Sequence, residues 1–418
     1  MGHSNFRDIR WGGYVVLSNL LGRGASRNLV GGKYGTALGG ALSGACSGIL
    51  SVYWTSYALQ EDADLGFVNI PGGCNGPPLH QALMDWENRA PFARSLVGSM
   101  GADINLNDKE WGTPLTVACA YLEADPNADV LEQEELSSSL QFIYELVDKG
   151  ADFHAEGGKY GTALQACVNG PLELATYLLE KGCDVNSTGG FCGSPLVRAT
   201  YHGRREMVQL FLERGANPNL PSDKCGSALM TACYRGQLEI AESLVKHGAD
   251  VNMRHKRHGC ALVAALLMPH ADRSSSGRAI IDLLLENGAD VDAHGGPFGC
   301  PLTAALLGGY NDVVVTKFIE RGANVNHKGG RYGFPLQAAA ICSSVKVVTM
   351  LLDAGAVVNA IGGRYGTALV AAVANGRGAV AQLLVDRGAE KMDSGLWWRN
   401  MRIHKRKRRT ELANNFLL

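Results

Sequence analysis

The sequence predicts an all-α solenoid of about ten helix-turn-helix units with projecting hairpin loops, and three observations carry that prediction. A Gly-x-(Ala/Pro)-Leu anchor begins at Gly35, Gly76, Gly112, Gly161, Gly193, Gly226, Gly259, Gly299, Gly333 and Gly366. A second anchor is Gly-Ala-Asp-Val-Asn or a close match at Gly101, Gly248 and Gly288. Variants begin at Gly24, Gly150, Gly182, Gly215, Gly322 and Gly355, and Gly388-Ala389-Glu390 closes the series. In nine cases the second anchor stands 11 residues before the next first anchor, so all length variation falls in the other segment.

A segment of constant length that closes on itself behaves as a hairpin or tight turn, where an insertion would disturb register. The variable segment must carry its insertions in exposed loops, and it reads as two short helices. Residues 162–168 form a small, alanine-rich turn and a half, which Asn169-Gly170-Pro171 breaks. Leu172 to Glu180 follows, with Leu174, Tyr177 and Leu178 at helical spacing. A basic residue and then glycine end the second helix at Lys181-Gly182, Arg214-Gly215, His247-Gly248, Arg321-Gly322 and Arg387-Gly388. That ending suits the helix dipole and a left-handed C-terminal residue. One such unit cannot bury its apolar face alone, so stacking on neighbours makes the core.

Composition agrees. The chain has 418 residues, 46% of them hydrophobic, and its 53 glycines follow no three-residue period, so they serve turns. The 39 basic and 40 acidic residues nearly cancel, which gives no support to a general electrostatic hold on nucleic acid; the one strong local bias lies at the C-terminus. The 11 cysteines are an odd number without a C-x-x-C pair and read as free thiols in a reducing compartment. Cys119, Cys167 and Cys233 stand where other units place alanine and read as buried packing residues.

The Gly-Thr-(Ala/Pro)-Leu start, two helices and Gly-Ala-Asp-Val-Asn end strongly resemble the ankyrin repeat. The lead-in Gly-Gly-x-(Tyr/Phe)-Gly, at Gly31, Gly157, Gly295, Gly329 and Gly362, resembles the variant of fungal-type ankyrin proteins. The resemblance covers about 90% of the chain and implies a non-catalytic scaffold or adaptor that binds other proteins along a concave face and hairpin tips. One departure stands out. The family's histidine after the anchor leucine is present only as His80, and Gln165 and Gln337 are among its replacements, so the local cap hydrogen bonds are expected to differ in detail.

The predicted organisation is an N-terminal segment 1–19, a repeat array 20–391 and a C-terminal cap and basic tail 392–418. Within the array, 34–69 is a degenerate first repeat. Residues 34–60 carry no charge and contain Gly40-x-x-x-Gly44-x-x-x-Gly48, the spacing of a membrane helix interface. Their glycine, serine and threonine content weakens any insertion, so a membrane-anchored adaptor is only an alternative. Residues 122–140 form an acidic insertion, read as a solvated loop, with a docking loop for a basic partner as the other reading. A smaller Ser-rich insertion, 269–278, reads as flexible. Leu396-Trp397-Trp398 is positioned to cap the last repeat. Lys405, Arg406, Lys407, Arg408 and Arg409 read as a solvated tail or an import signal, and a nuclear regulator that uses this tail for import or DNA association is the second alternative.

No phosphate loop, H-E-x-x-H or G-x-S-x-G occurs, and no cofactor, metal or small-molecule substrate is expected. His247, His255, His258 and Cys260 lie close in sequence but on a projecting hairpin rather than in a converging site. The tips themselves carry a pattern: a basic residue and an aromatic one precede the anchor glycine, as in Lys159-Tyr160, Arg331-Tyr332 and Arg364-Tyr365, with Arg257 another of the basic series. Tyr201 and Tyr234, eight residues after their anchors, are placed on the first-helix face and are of the type that anchors interfaces. These residues are the candidate partner-binding set, and an acidic or phosphorylated partner segment is expected on the arginine tips. An intracellular location follows, cytoplasmic or nuclear, with nucleic acid and membrane not expected as partners.

Overall fold

The computed structural model describes residues 68–69, 76–84, 86–122, 130–256, 258–268, 275–294, 298–308, 310 and 312–390. Eighteen α-helices and no strand occur among the described residues, as an all-α helical repeat requires. The chain divides into two compact units, Met1–Ala216 and Asn217–Leu418.

The N-terminal unit contains α1 (Pro78–Leu83), α2 (Trp86–Gly98), α3 (Pro114–Ala120), α4 (Val130–Asp148), α5 (Ala163–Ala166, extended by a 3-10 turn Cys167–Asn169), α6 (Leu172–Glu180), α7 (Pro195–His202) and α8 (Arg205–Glu213). The C-terminal unit contains α9 (Ala228–Tyr234), α10 (Leu238–Lys246), α11 (Ala261–Leu266), α12 (Ser275–Glu286), α13 (Pro301–Gly308), α14 (Asp312–Glu320), α15 (Pro335–Cys342), α16 (Val345–Asp353), α17 (Ala368–Ala374) and α18 (Gly378–Asp386). Within each unit, odd-numbered helices stack on odd-numbered ones, α1 on α3 on α5 on α7 and α9 on α11 on α13 on α15 on α17. Even-numbered helices form a second layer, with α2 against α4, α6 against α8, α10 against α12, and α14 against α16 against α18.

Each residue of the first anchor has one task. The glycine turns the chain at positive φ, for example +83° at Gly161 and +86° at Gly333, a region open to glycine without a Cβ clash. The next residue caps the helix: Thr113, Thr162, Ser194, Ser227 and Thr367 each accept a backbone N–H three residues on. Proline or alanine then starts the helix, where a missing N–H costs nothing. The leucine is buried in every described repeat. Alanine-rich odd-numbered helices let neighbours approach closely, while the longer even-numbered helices bury one stripe, such as Leu174 and Leu178 or Val347, Val348 and Leu351.

The second anchor is a helix ending. After α6, the Gly182 N–H donates to Leu179 O at 3.1 Å and the Cys183 N–H to Leu178 O at 3.0 Å. This paired ending leaves glycine left-handed and the following small residue buried. It recurs at Gly215-Ala216, Gly248-Ala249, Gly322-Ala323, Gly355-Ala356 and Gly388-Ala389. The aspartate then accepts a backbone N–H two residues on, as Asp250 does from Asn252 at 2.8 Å. The terminal asparagine clamps the next repeat. Asn219 accepts the Asp250 N–H at 2.7 Å and donates to Gly248 O at 3.0 Å. Asn105, Asn252, Asn326 and Asn359 repeat the clamp.

Two expectations need correction. The insertion 122–140 is not wholly a loop, because α4 begins at Val130. Its Leu-Glu-Gln-Glu-Glu-Leu start is made of good helix formers, and acidic residues in a first turn suit the helix dipole. Likewise Ser275 already belongs to α12, so the Ser-rich insertion is shorter than its composition suggests. The segments 1–19 and 34–60 and the tail 392–418 lie outside the described residues.

Candidate partner-binding surface

The 11-residue segment closes as a hairpin with a five-residue tip. Asp108 pairs with Gly112, Gly157 with Gly161, Gly189 with Gly193, Ser222 with Gly226, His255 with Gly259, Gly329 with Gly333 and Gly362 with Gly366. Consecutive tips are also joined. The Lys159 N–H donates to Glu110 O at 2.9 Å, that of Phe191 to Lys159 O at 3.3 Å and that of Arg364 to Arg331 O at 3.1 Å. At these three junctions the third tip position of one repeat therefore lies beside the third tip position of the next, in register.

Close backbone packing makes this register possible. A Cβ on Gly158 would stand 2.4 Å from the backbone of Trp111, and one on Gly363 2.3 Å from that of Tyr332. The Gly-Gly lead-in is thus a consequence of tip-to-tip contact.

His80, Gln165 and Gln337 tie each hairpin to its neighbour. His80 Nε2 lies 2.8 Å from Gly112 O, Gln165 Nε2 donates to Gly193 O at 3.0 Å, and Gln337 Nε2 donates to Gly366 O at 2.6 Å. The acceptor is always the anchor glycine of the following repeat, so glutamine performs the histidine's task without its titration. Gln165 and Gln337 also accept the N–H of the residue before their helix, at 3.0 and 3.1 Å, a bond added to the one histidine makes.

The candidate residues divide by unit. In the N-terminal unit, Lys159 is exposed and Tyr160 half-buried. The Lys159 ammonium lies 3.7 Å from the centroid of Trp111 and 4.9 Å from that of Tyr160. Tyr160 packs edge-on against Tyr121 at 6.4 Å, and Tyr201 packs likewise against Phe191 at 6.4 Å. The Arg198 guanidinium lies 5.4 Å from the Tyr160 centroid. Tyr121, Phe191 and Tyr201 remain 41%, 47% and 37% exposed, an apolar cluster beyond what the core requires. In the C-terminal unit, Tyr234 is 49% exposed on α9. Arg331 and Arg364 are exposed, Tyr332 and Tyr365 half-buried, and the Arg364 guanidinium lies 5.7 Å from the centroid of Tyr365. Arg257 and Lys405 to Arg409 lie outside the described residues.

Tyr121, Phe191 and Arg198 were not singled out by tip spacing, yet Arg198 had a sequence signal. It stands five residues after its anchor glycine, in a column otherwise filled by Gly40, Gln81, Val117, Ala166, Thr231, Ala264, Ala304, Ala338 and Ala371.

Cys119, Cys167 and Cys233 are fully buried, and burial pushes their thiols well above the ordinary range, which disfavours a thiolate nucleophile. His255 and His258 stack at 5.0 Å, with His258 Nε2 against Lys224 O at 2.8 Å. No group of three or more metal-ligating side chains gathers among the described residues, nor is any described helix long and apolar enough to cross a membrane.

A family model described as ankyrin repeats (3 copies) matches residues 136–222, 163–255, 196–295 and 302–394. No curated protein matches the chain.

Proposed function

The chain belongs to the ankyrin-repeat family, and from that premise we propose that it acts as a non-catalytic scaffold binding another protein along its hairpin tips and first-helix ends. Repeats of this family generally mediate protein–protein interaction. The observation that carries the reading is the cluster of exposed aromatics, Tyr121, Phe191 and Tyr201, beside the joined tips. Aromatic side chains of this kind supply large contact area at small entropic loss, and tips held by backbone hydrogen bonds are already ordered before a partner arrives. The test is affinity capture with the full chain and with a Tyr121→Ala, Phe191→Ala, Tyr201→Ala variant. The expected result is loss of captured partners with an unchanged thermal midpoint. Retention of every partner by a folded triple variant would overturn this placement of the surface.

A further inference from the structure

We propose that Arg198 and Lys159, set against the ring of Tyr160, form a carboxylate-recognising site that takes an Asp or Glu side chain of an acidic peptide segment in the partner. The proposal rests on the scaffold reading and names the chemistry of its partner.

Arg198 places a charge where the other repeats have none. Every described counterpart of Arg198 in the other repeats is buried and uncharged. Arg198 is itself largely withdrawn from water, and its Nε is buried without a hydrogen-bond partner. The groups acting on its charge are Cys192, Tyr160 and Cys167, none of them a carboxylate, and desolvation is the largest influence on it, lowering its pKa. A desolvated guanidinium without a counter-ion is unfavourable, so buried charges are normally paired. The half-buried Arg204 shows how such a group is otherwise satisfied: it donates to Asn169 O at 3.1 Å and Gly170 O at 3.0 Å.

Lys159 repeats the theme from the adjoining tip. Its ammonium sits on the rings of Trp111 and Tyr160, and it forms no ion pair among the described residues, although Glu110 is on the neighbouring tip. Two cations therefore lie against one tyrosine ring, and neither pairs with a carboxylate among the described residues. The planar fork of a guanidinium matches the two oxygens of a carboxylate. The site offers one fork and one ammonium, few donors for a phosphoryl dianion. A nucleic acid would call for a wider basic surface than a chain of net charge −1 provides. Tyr121 packs against Tyr160, and the Phe191 N–H donates to Lys159 O, with Tyr201 against the Phe191 ring, so these aromatics would give apolar contacts to residues flanking the acidic one.

The test uses the full chain as bait for a displayed library of random dodecapeptides. Enriched peptides are expected to share an Asp or Glu beside apolar residues. A fluorescein-labelled synthetic copy of the leading peptide should lose about tenfold affinity with Arg198→Gln, less with Lys159→Gln, and weaken as salt rises. Glutamine fits the column, as Gln81 shows, so the thermal midpoint should not fall. Enrichment without an acidic residue, no enrichment, or less than about a twofold change in Arg198→Gln would overturn the proposal. So would tighter binding of the same peptide with phosphoserine in place of the acidic residue, or tighter binding of oligouridylate. If partner capture is lost in the aromatic triple variant but kept in Arg198→Gln, the carboxylate site is wrong and the scaffold reading stands.

Discussion

The carboxylate of Asp292 accepts the backbone N–H of Asn324 at 2.8 Å, one bond at a position where other repeats make two. Asparagine there also donates to the carbonyl of the next helix-ending glycine, as Asn252 does to Gly288 at 2.9 Å. A carboxylate has no proton to give, so the Gly322 carbonyl receives nothing from this side chain.

Asp292→Asn should therefore complete the clamp and stabilise the junction between its two repeats by about 0.5–1.5 kcal/mol, the net value of one hydrogen bond. Hydrogen exchange at residues 288–294 and 322–326 would slow. Unchanged or faster exchange there would show that the missing bond is already made by water.

His80 should make the first described repeat sensitive to acid. Burial lowers its pKa below 6.5, and its Nε2 donates to Gly112 O. The folded state holds the ring neutral while the unfolded chain protonates it more readily. The stabilising contribution is thus present above about pH 6.5 and is lost as pH falls through the lowered folded value. His80→Gln, the solution found at Gln165 and Gln337, should flatten this dependence. Exchange at residues 76–84 at pH 7 and pH 5 is the measurement, and an equal acid response in both proteins would contradict it.

Two glycines at nearly the same φ should respond differently. Gly248 lies at +84° with nothing within 4 Å of an added Cβ, whereas at Gly333, at +86°, that atom would stand 2.7 Å from the backbone of Gly362 and Gly363. Gly248→Ala should cost only the conformational penalty, about 1–2 kcal/mol. Gly333→Ala should cost clearly more, because two backbones must separate. Exchange followed repeat by repeat should show both losses concentrated near the substitution, as nearest-neighbour stacking requires. Equal penalties, or a loss spread evenly through both units, would be the wrong outcome.

Arg331→Glu with Arg364→Glu tests whether those tips support the fold. Both side chains are exposed, and an exposed charge contributes little to stability. The thermal midpoint should stay within about 2 °C of the parent protein. Unfolding of the last repeats would assign the arginines a structural task.

Much of the repeat was legible because each anchor residue answers to a local rule: glycine for a positive φ, threonine or serine for a cap, proline for a first turn, aspartate for a tight turn. Those demands act within a few residues, so they leave a pattern in one dimension. The tips were legible as a list of basic and aromatic positions. What a list could not contain was which of them meet. Lys159 lies over Trp111 rather than in free solvent because the backbones of consecutive tips are hydrogen-bonded. That Gln165 and Gln337 make the bond that His80 makes was not legible either, because their acceptors lie 28 and 29 residues away.

The repeat type, the helix pairing and the constant hairpin were determined by the sequence alone, since backbone conformation and capping are settled among near neighbours. The contacts across repeats were decided only by tertiary structure: the asparagine clamp, the shared ring of Tyr160, and the desolvation of Arg198 in a column built for small side chains. Whether a charge is buried, and whether anything offsets it, depends on what stacking brings beside it.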